Sequence, residues 1–178
     1  MSARTYRILI AVALAISLSS AGALIYGFHF ADRQSRTSQT KALSHLAEVP
    51  VETLSGAKVM VGTLLRNRPN VLAFVSPDCS HCQTELSVLD RLVASVPNGT
   101  GIVVVADALH HSEKELAEFA AEHRNLAVYF DRHRARLQLG FRFVPVIVCV
   151  GRDGSVRQII TGERTQEALA AAMRANAS

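Results

Sequence analysis

The feature that most constrains this chain is a pair of cysteines, Cys79 and Cys82, placed where a buried strand is predicted to give way to a helix. Residues 71–75, VLAFV, form a continuous apolar run, which is typical of a strand covered on both faces of a sheet. After the cysteines, apolar residues recur at spacings of three and four along one helical face, at Leu86, Leu89, Leu92, Val93 and Val96. The sequence therefore predicts the order strand, cysteine, helix.

This junction gives the two sulfur atoms different roles. Unpaired N–H groups and the positive end of the helix dipole stabilise a thiolate at the helix start, so we predict that Cys79 is the nucleophile. It would attack a disulfide in another protein, and the less exposed Cys82 would resolve the mixed disulfide. A protonated His81 between the cysteines would favour the thiolate, whereas Asp78 would oppose it. Asp78 could instead serve only as a helix N-cap.

The C-x-x-C spacing also occurs as one half of zinc sites. The sequence has neither a second C-x-x-C nor a His-x3–5-His pair to complete four ligands. We expect four histidines to be solvated rather than ligands: His110, His111, His123 and His133. Cys149 lies in the apolar run 146–150 and is expected to pack as a small hydrophobe. Neither a metal nor a cofactor other than a Cys79–Cys82 disulfide is expected.

A second candidate element is Phe143-Val144-Pro145, directly before the run 146–150. Proline cannot donate to a sheet ladder, so it belongs at the start of a strand. An ordinary strand-opening proline is one interpretation. Together with the cysteine motif, a cis Val144–Pro145 bond is favoured, which would place the Val144 backbone beside the sulfurs.

The rest of the chain alternates between short apolar runs and helical patterns. Further strands are predicted at 59–61, 101–106, 127–130, 146–150 and 155–160, and further helices at 132–139, at 165–175 and after the capping-box pattern of residues 112–115. This order predicts an α/β fold over residues 51–178, with a central mixed β-sheet flanked by helices.

The N-terminal segment is predicted to be a membrane anchor. Residues 8–30 contain no Asp, Glu, Lys or Arg and suit one transmembrane helix, so we assign 1–30 to the anchor and 31–50 to a polar tether. Cleavage as a signal peptide at Ala21-Gly22-Ala23 is the alternative, although the apolar run continues beyond that site. Basic residues at both ends leave the orientation open. Because exported dithiol domains are the commoner kind to be tethered, we expect a single-pass protein of the inner (cytoplasmic) membrane with its domain on the periplasmic or extracytoplasmic side.

The size and charge of the chain exclude other classes. Its 178 residues suit one ordinary domain and a short extra segment. The 19 Lys and Arg exceed the 15 Asp and Glu by four, and the basic residues are scattered singly. We therefore expect no nucleic-acid partner.

Two blocks of sequence resemble the thioredoxin superfamily, most of all its membrane-tethered TlpA/ResA-type branch. Residues 79–85, CSHCQTE, resemble the C-x-x-C-x-x-E of that branch. Residues 139–146, LGFRFVPV, resemble its Y-G-V-x-G-V-P-T block, and residues 151–156, GRDGSV, resemble the hairpin that follows. The resemblance covers roughly residues 51–178 and implies a thioredoxin-like fold.

The resemblance also implies a function and two site residues. The function is thiol-disulfide exchange with exported disulfide-containing or dithiol proteins, in which this protein acts as a reductant in cytochrome or metalloprotein maturation. An upstream membrane or exported thiol reductant is expected to regenerate it. Pro145 would be the cis-proline, and Glu85 a buried acid able to accept a proton from Cys82. A solvated Glu85 that favours the helix dipole is the alternative.

Two departures from that branch leave the subfamily open. Ser76-Pro77-Asp78 replaces the usual Trp before the first cysteine, and His81 replaces the usual Pro before the second. Residues 74–79, FVSPDC, are similar instead to the F-x-S-P-x-C of MauD-like proteins, which are membrane-bound factors needed to mature methylamine dehydrogenase. A Sco-like copper-binding delivery protein is the alternative function, although its cysteines are usually separated by three residues.

Overall fold

The computed structural model describes residues 45–65, 68, 70–93, 100–162 and 164–177. Within these residues, seven strands form one sheet in the order β2-β1-β5-β4-β3-β6-β7. The strands are β1 (Pro50–Glu52), β2 (Lys58–Met60), β3 (Asn70–Val75), β4 (Gly101–Asp107), β5 (Ala127–Asp131), β6 (Val146–Val150) and β7 (Val156–Thr161). The α-helices are α1 (Val61–Leu64), α2 (Ser80–Val93), α3 (Glu113–Glu122), α4 (Ala135–Gln138) and α5 (Gln166–Ala177), and a 3-10 turn covers Leu46–Glu48.

The centre of the sheet consists of the strands with continuous apolar runs. β3, β4 and β5 are parallel, and β6 runs antiparallel along the other edge of β3, so the predicted mixed sheet is confirmed. Successive residues of β3 enter different cores because side chains alternate across a sheet. Val71, Ala73 and Val75 face the core formed with α2, α3 and α5. Leu72 and Phe74 face the core formed with α1 and α4.

The helix after the cysteines follows the predicted face with one error. Leu86, Leu89 and Leu92 are buried, whereas Val93 in the last turn of α2 is 38% exposed. Val96 lies outside the described residues. The predicted capping box of α3 is present, since Ser112 Oγ accepts the N–H of Glu115 and Glu115 Oε2 accepts the N–H of Ser112.

The folded domain begins earlier than the predicted boundary at residue 51. Leu46 and Val49 are buried in the core that includes α1, and β1 starts at Pro50, all within the segment predicted to be a tether. β1 has three residues, too few for its period to be visible in the sequence. The rest of the predicted tether, 31–44, lies outside the described residues, as does the predicted anchor at 8–30. No helix of the described part is long and apolar enough to cross a membrane.

The helix predicted at 132–139 is shorter than expected because of Asp131. Its buried carboxylate accepts the backbone N–H groups of His133, Ala135 and Arg136, which holds the chain in a turn before α4 can begin. Arg134, with a φ of 56°, immediately precedes the helix. Gly140 follows it with a φ of 81°, in the left-handed region that favours glycine, so the predicted helix stop is confirmed.

Because the thiol of Cys149 is buried, we expect the domain to lose stability as the pH becomes alkaline. Burial in β6 raises the pKa of Cys149 to about 11. As the pH rises above about 9, the thiol therefore ionises first in the unfolded chain and stabilises it. We expect the free energy of unfolding of the wild type to fall relative to Cys149→Val by up to about 1.4 kcal/mol per pH unit between about pH 9 and 11.

Urea unfolding of the reduced full chain at several pH values checks this expectation. Cys149→Val is a suitable control because valine fills a similar apolar space. Parallel pH dependences of the two proteins would contradict it.

Candidate active site

The candidate site begins in the turn that joins β3 to α2. The N–H of Cys79 donates to the Ser76 carbonyl at 3.2 Å, and the Gln83 side chain donates to the Pro77 carbonyl at 2.9 Å. These two bonds tie the turn to itself and to the first turn of the helix. α2 starts at Ser80, so Cys79 lies at its N-terminus, as the sequence predicts.

The two cysteines differ sharply in their surroundings. Both are free thiols, so the structure shows the dithiol form. Cys79 is half-buried, whereas Cys82 has no exposed surface. The N–H of Cys82 donates to Cys79 Sγ at 3.3 Å, which supplies a donor that favours negative charge on that sulfur. Burial, followed by a hydrogen bond with the Cys79 side chain, raises the pKa of Cys82 to about 12.

Glu85 lies one turn beyond Cys82 on the buried face of α2. It is fully buried, so the solvated alternative for this residue is wrong. Its Oε2 accepts the N–H of Arg164 at 3.1 Å, from the segment that follows β7. The negative charge of Glu85 also contributes to the raised pKa of Cys82, after burial and the effects of Cys79. A carboxylate therefore lies within electrostatic reach of the buried thiol.

The Val144–Pro145 segment lies at the same end of the sheet. The peptide bond between these residues is cis, as favoured from the sequence. Val146 pairs with Phe74, so the antiparallel register places Val144 and Pro145 beside the end of β3 and the turn that carries Cys79. Val144 and Cys79 pack against the same core, and the Pro145 carbonyl accepts the N–H of Gly162 at 3.0 Å.

In the segment before Pro145, Phe141 is held by buried contacts, whereas Phe143 faces solvent. The Arg136 guanidinium donates to the Phe141 carbonyl at 2.7 Å, and the buried Phe141 ring lies 5.6 Å from that of Phe74. Phe143, by contrast, is 82% exposed. His81, predicted to belong to the site, is also exposed, between the two cysteines.

The structure adds a contact that the sequence did not predict. His111 Nε2 lies 3.5 Å from Asp78 Oδ2, and the His111 side chain is only 8% exposed. The parallel pairing of β3 and β4 explains the contact between His111 and Asp78, because it places the loops after both strands side by side.

The expectation that the histidines are solvated is also wrong for His123 and His133. His123 is buried against the Phe119 ring, and His133 Nε2 lies 2.8 Å from Glu52 Oε1. Only His110 of the four is exposed. Within the described ranges, no three His, Cys, Asp or Glu side chains form a group that could hold a metal ion.

Comparison with solved structures identifies the fold. DsbF of MTB, in its mixed oxidized and reduced forms, is 24% identical with a TM-score of 0.63, over 73% of this chain and 96% of that chain. A secreted Mycobacterium tuberculosis disulfide oxidoreductase homologous to E. coli DsbE is 23% identical, with a TM-score of 0.60, over 71% and 94%. StoA from Bacillus subtilis is 15% identical, with a TM-score of 0.53, over 69% and 93%.

The fold and the site together define a class. The chain has the thioredoxin-like fold of these proteins and carries a C-x-x-C dithiol at the junction of a central strand and the following helix. It is similar in fold to structures described as DsbE-type and StoA proteins. Neither the protein-family models nor the curated proteins give a match to the sequence.

Proposed function

We propose that this protein is a thiol-disulfide oxidoreductase that exchanges the Cys79/Cys82 dithiol with disulfides of exported proteins. The observation that carries the proposal is the asymmetry of the two thiols. Cys79 is accessible at a helix N-terminus and accepts a hydrogen bond from the Cys82 N–H, while Cys82 is fully buried. This is the arrangement that one attacking and one resolving cysteine require.

The reaction proceeds in two exchanges. The Cys79 thiolate attacks one sulfur of the client disulfide, that S–S bond breaks, and the other client sulfur leaves as a thiolate that takes up a proton. Cys82 then loses its proton and attacks the Cys79 sulfur, which releases the second client thiol. Two electrons pass to the client, and the enzyme is left with a Cys79–Cys82 disulfide. An upstream thiol reductant in the same compartment returns it to the dithiol.

The second exchange needs a base because burial holds Cys82 in its protonated form. Burial is the largest cause of the raised pKa of Cys82, and burial persists when Cys79 is bonded to the client. Glu85 lies on the same buried face of α2, and its charge is felt by Cys82. We assign Glu85 the role of proton acceptor, with the N–H of Arg164 holding its carboxylate in place.

The surroundings of the dithiol favour a protein as client. The segment before Pro145 presents Phe143 to solvent at the end of the sheet where Cys79 lies. A nearly fully exposed aromatic ring offers a polypeptide chain an apolar contact that a small disulfide would not need. The Pro145 carbonyl accepts the N–H of Gly162, and Val146 pairs with Phe74 in the sheet, so the ring projects from a fixed base.

The place of action and the clients complete the proposal. We place the protein in the cytoplasmic membrane, anchored through residues 8–30, with the domain on the periplasmic or extracytoplasmic side. There it reduces disulfides of client proteins during cytochrome or metalloprotein maturation. The absence of charge over 8–30 supports the anchor. A neighbour in fold that is described as secreted supports the compartment.

Single cysteine variants test the exchange reaction. We expect Cys79→Ser to abolish reduction of insulin disulfides by the full chain, because the attacking sulfur is lost. Cys82→Ser should instead accumulate a mixed disulfide between Cys79 and the client, visible on a non-reducing gel and lost on adding dithiothreitol. Full activity of Cys79→Ser would overturn the proposed function.

Glu85→Gln separates two effects of the carboxylate that act in opposite directions. Loss of the negative charge lowers the pKa of Cys82, which by itself would speed the second exchange. Loss of the proton acceptor slows it, by about a hundredfold or more. Because the second effect is larger, we expect slower decay of the mixed disulfide in rapid-quench experiments. Faster decay would show that Glu85 acts only through its charge.

Phe143→Ala tests the contact with a protein client. We expect the KM for insulin reduction to rise about fivefold to tenfold, because an apolar contact of about 1–1.4 kcal/mol is lost. The rate with the small disulfide 5,5′-dithiobis(2-nitrobenzoate) should not change. Leu54→Ala is the matched control, since Leu54 is also exposed but lies in the turn after β1, at the far edge of the sheet. Equal effects of Phe143→Ala on both disulfides would contradict a client contact.

A further inference from the structure

The pair formed by His111 and Asp78 lies outside the cysteine motif but next to its nucleophile. We propose that His111 is a positioning residue that offsets the negative charge of Asp78 and so sets the reactivity of Cys79. This inference rests on the proposed exchange reaction and deepens it. It concerns a histidine that belongs to a different loop from the dithiol.

The position of Asp78 makes its charge relevant to the site. Asp78 directly precedes Cys79 in the turn that starts α2, and its side chain is 83% exposed. An uncompensated carboxylate there disfavours a neighbouring thiolate by like-charge repulsion. The helix N-terminus and the Cys82 N–H act in the opposite sense. The net reactivity of Cys79 therefore depends on how far the Asp78 charge is offset.

His111 is held where it can provide that offset. Its side chain is 8% exposed, and Nε2 lies 3.5 Å from Asp78 Oδ2, at the distance of an ion pair when the ring is protonated. The residue after it, Ser112, is fixed by the capping box of α3, with its N–H donating to Glu115 at 2.7 Å. A second carboxylate thus lies near the ring. Hydrogen bonds from Ser112 lower the pKa of Glu115, and the His111 charge adds to that effect.

The two carboxylates near His111 are not equivalent for the dithiol. Glu115 is engaged by both the backbone and the side chain of Ser112, which hold it at the start of α3. The Asp78 carboxylate faces His111 at 3.5 Å and directly precedes Cys79. Loss of the ring therefore leaves the Asp78 charge without the offset that His111 provides, while Glu115 keeps its bonds to Ser112.

The direction of the effect follows from charge. Without His111, the thiolate of Cys79 is less stable, so Cys79 reacts more slowly with an alkylating agent. The dithiol is also more easily oxidised, because its charged form has lost a stabilising neighbour. Without the Asp78 charge, both effects reverse. Removing His111 from a chain that already lacks the carboxylate should change neither quantity.

A double-mutant cycle on the detergent-solubilised full chain tests the inference. The variants are His111→Phe, which keeps a planar ring in the buried position, Asp78→Asn, and the two together. Two quantities are measured at pH 7: the rate of alkylation of Cys79 by iodoacetamide, followed by peptide mass spectrometry, and the equilibrium constant for oxidation by glutathione disulfide. Thermal unfolding of each variant shows whether it is folded.

We expect His111→Phe to slow alkylation about twofold to fivefold and to shift the glutathione equilibrium toward the disulfide by a similar factor, the size typical of a partly exposed charge pair. The double variant should match Asp78→Asn. An unchanged His111→Phe, or an equal effect of it in the Asp78→Asn chain, would overturn the inference.

A buried ring that serves only packing would lower the unfolding temperature and leave both reactivity measurements unchanged. His111→Gln provides a second variant if His111→Phe is destabilised. Because glutamine keeps a neutral donor near Asp78, this variant should show a smaller change in alkylation rate and in the glutathione equilibrium than His111→Phe. Failure of the proposed function is distinguishable, because the wild type would then not reduce insulin whatever the outcome of the cycle.

Discussion

Burial of β3 on both faces is the constraint on which the rest of the structure depends. The strand is hydrogen-bonded to β4 on one side and to β6 on the other, and its side chains enter two separate cores. A shift of one residue would exchange the contents of the two cores, so the register is strongly specified. Because β3 cannot move, Cys79 after its end and Pro145 before β6 are fixed relative to each other.

The same burial explains why two identical side chains have different chemistry. Cys79 lies outside the core in the turn, whereas Cys82 is one turn further and faces inward with Leu86 and Leu89. The apolar surroundings that stabilise the helix against the sheet also disfavour the charged form of Cys82. A buried carboxylate such as Glu85 costs stability unless it has partners, and the N–H of Arg164 provides one.

The sequence predicted what is encoded locally and missed what depends on neighbouring loops. The run VLAFV, the helical spacing of Leu86 and Leu89, and the proline before residues 146–150 each carry their signal within a few residues. The strand β1 is too short to show a period, and its pairing with β2 and β5 is what makes it a strand. The late start of α4 is set by the Asp131 carboxylate, whose hydrogen bonds to the preceding turn are not visible in periodicity.

The environment of a C-x-x-C dithiol is therefore set by more than the two residues between its cysteines. In a parallel arrangement, the carboxyl end of the adjacent strand delivers its loop to the same edge of the sheet. Here β4 brings His111 to Asp78, and Asp78 adjoins the nucleophile. His81 considered alone would suggest that the Cys79 thiolate is stabilised. Asp78 considered alone would suggest that it is destabilised. Because His111 offsets the charge of Asp78, the balance between the effects of His81 and Asp78 depends on a residue that follows both α2 and β4 along the chain.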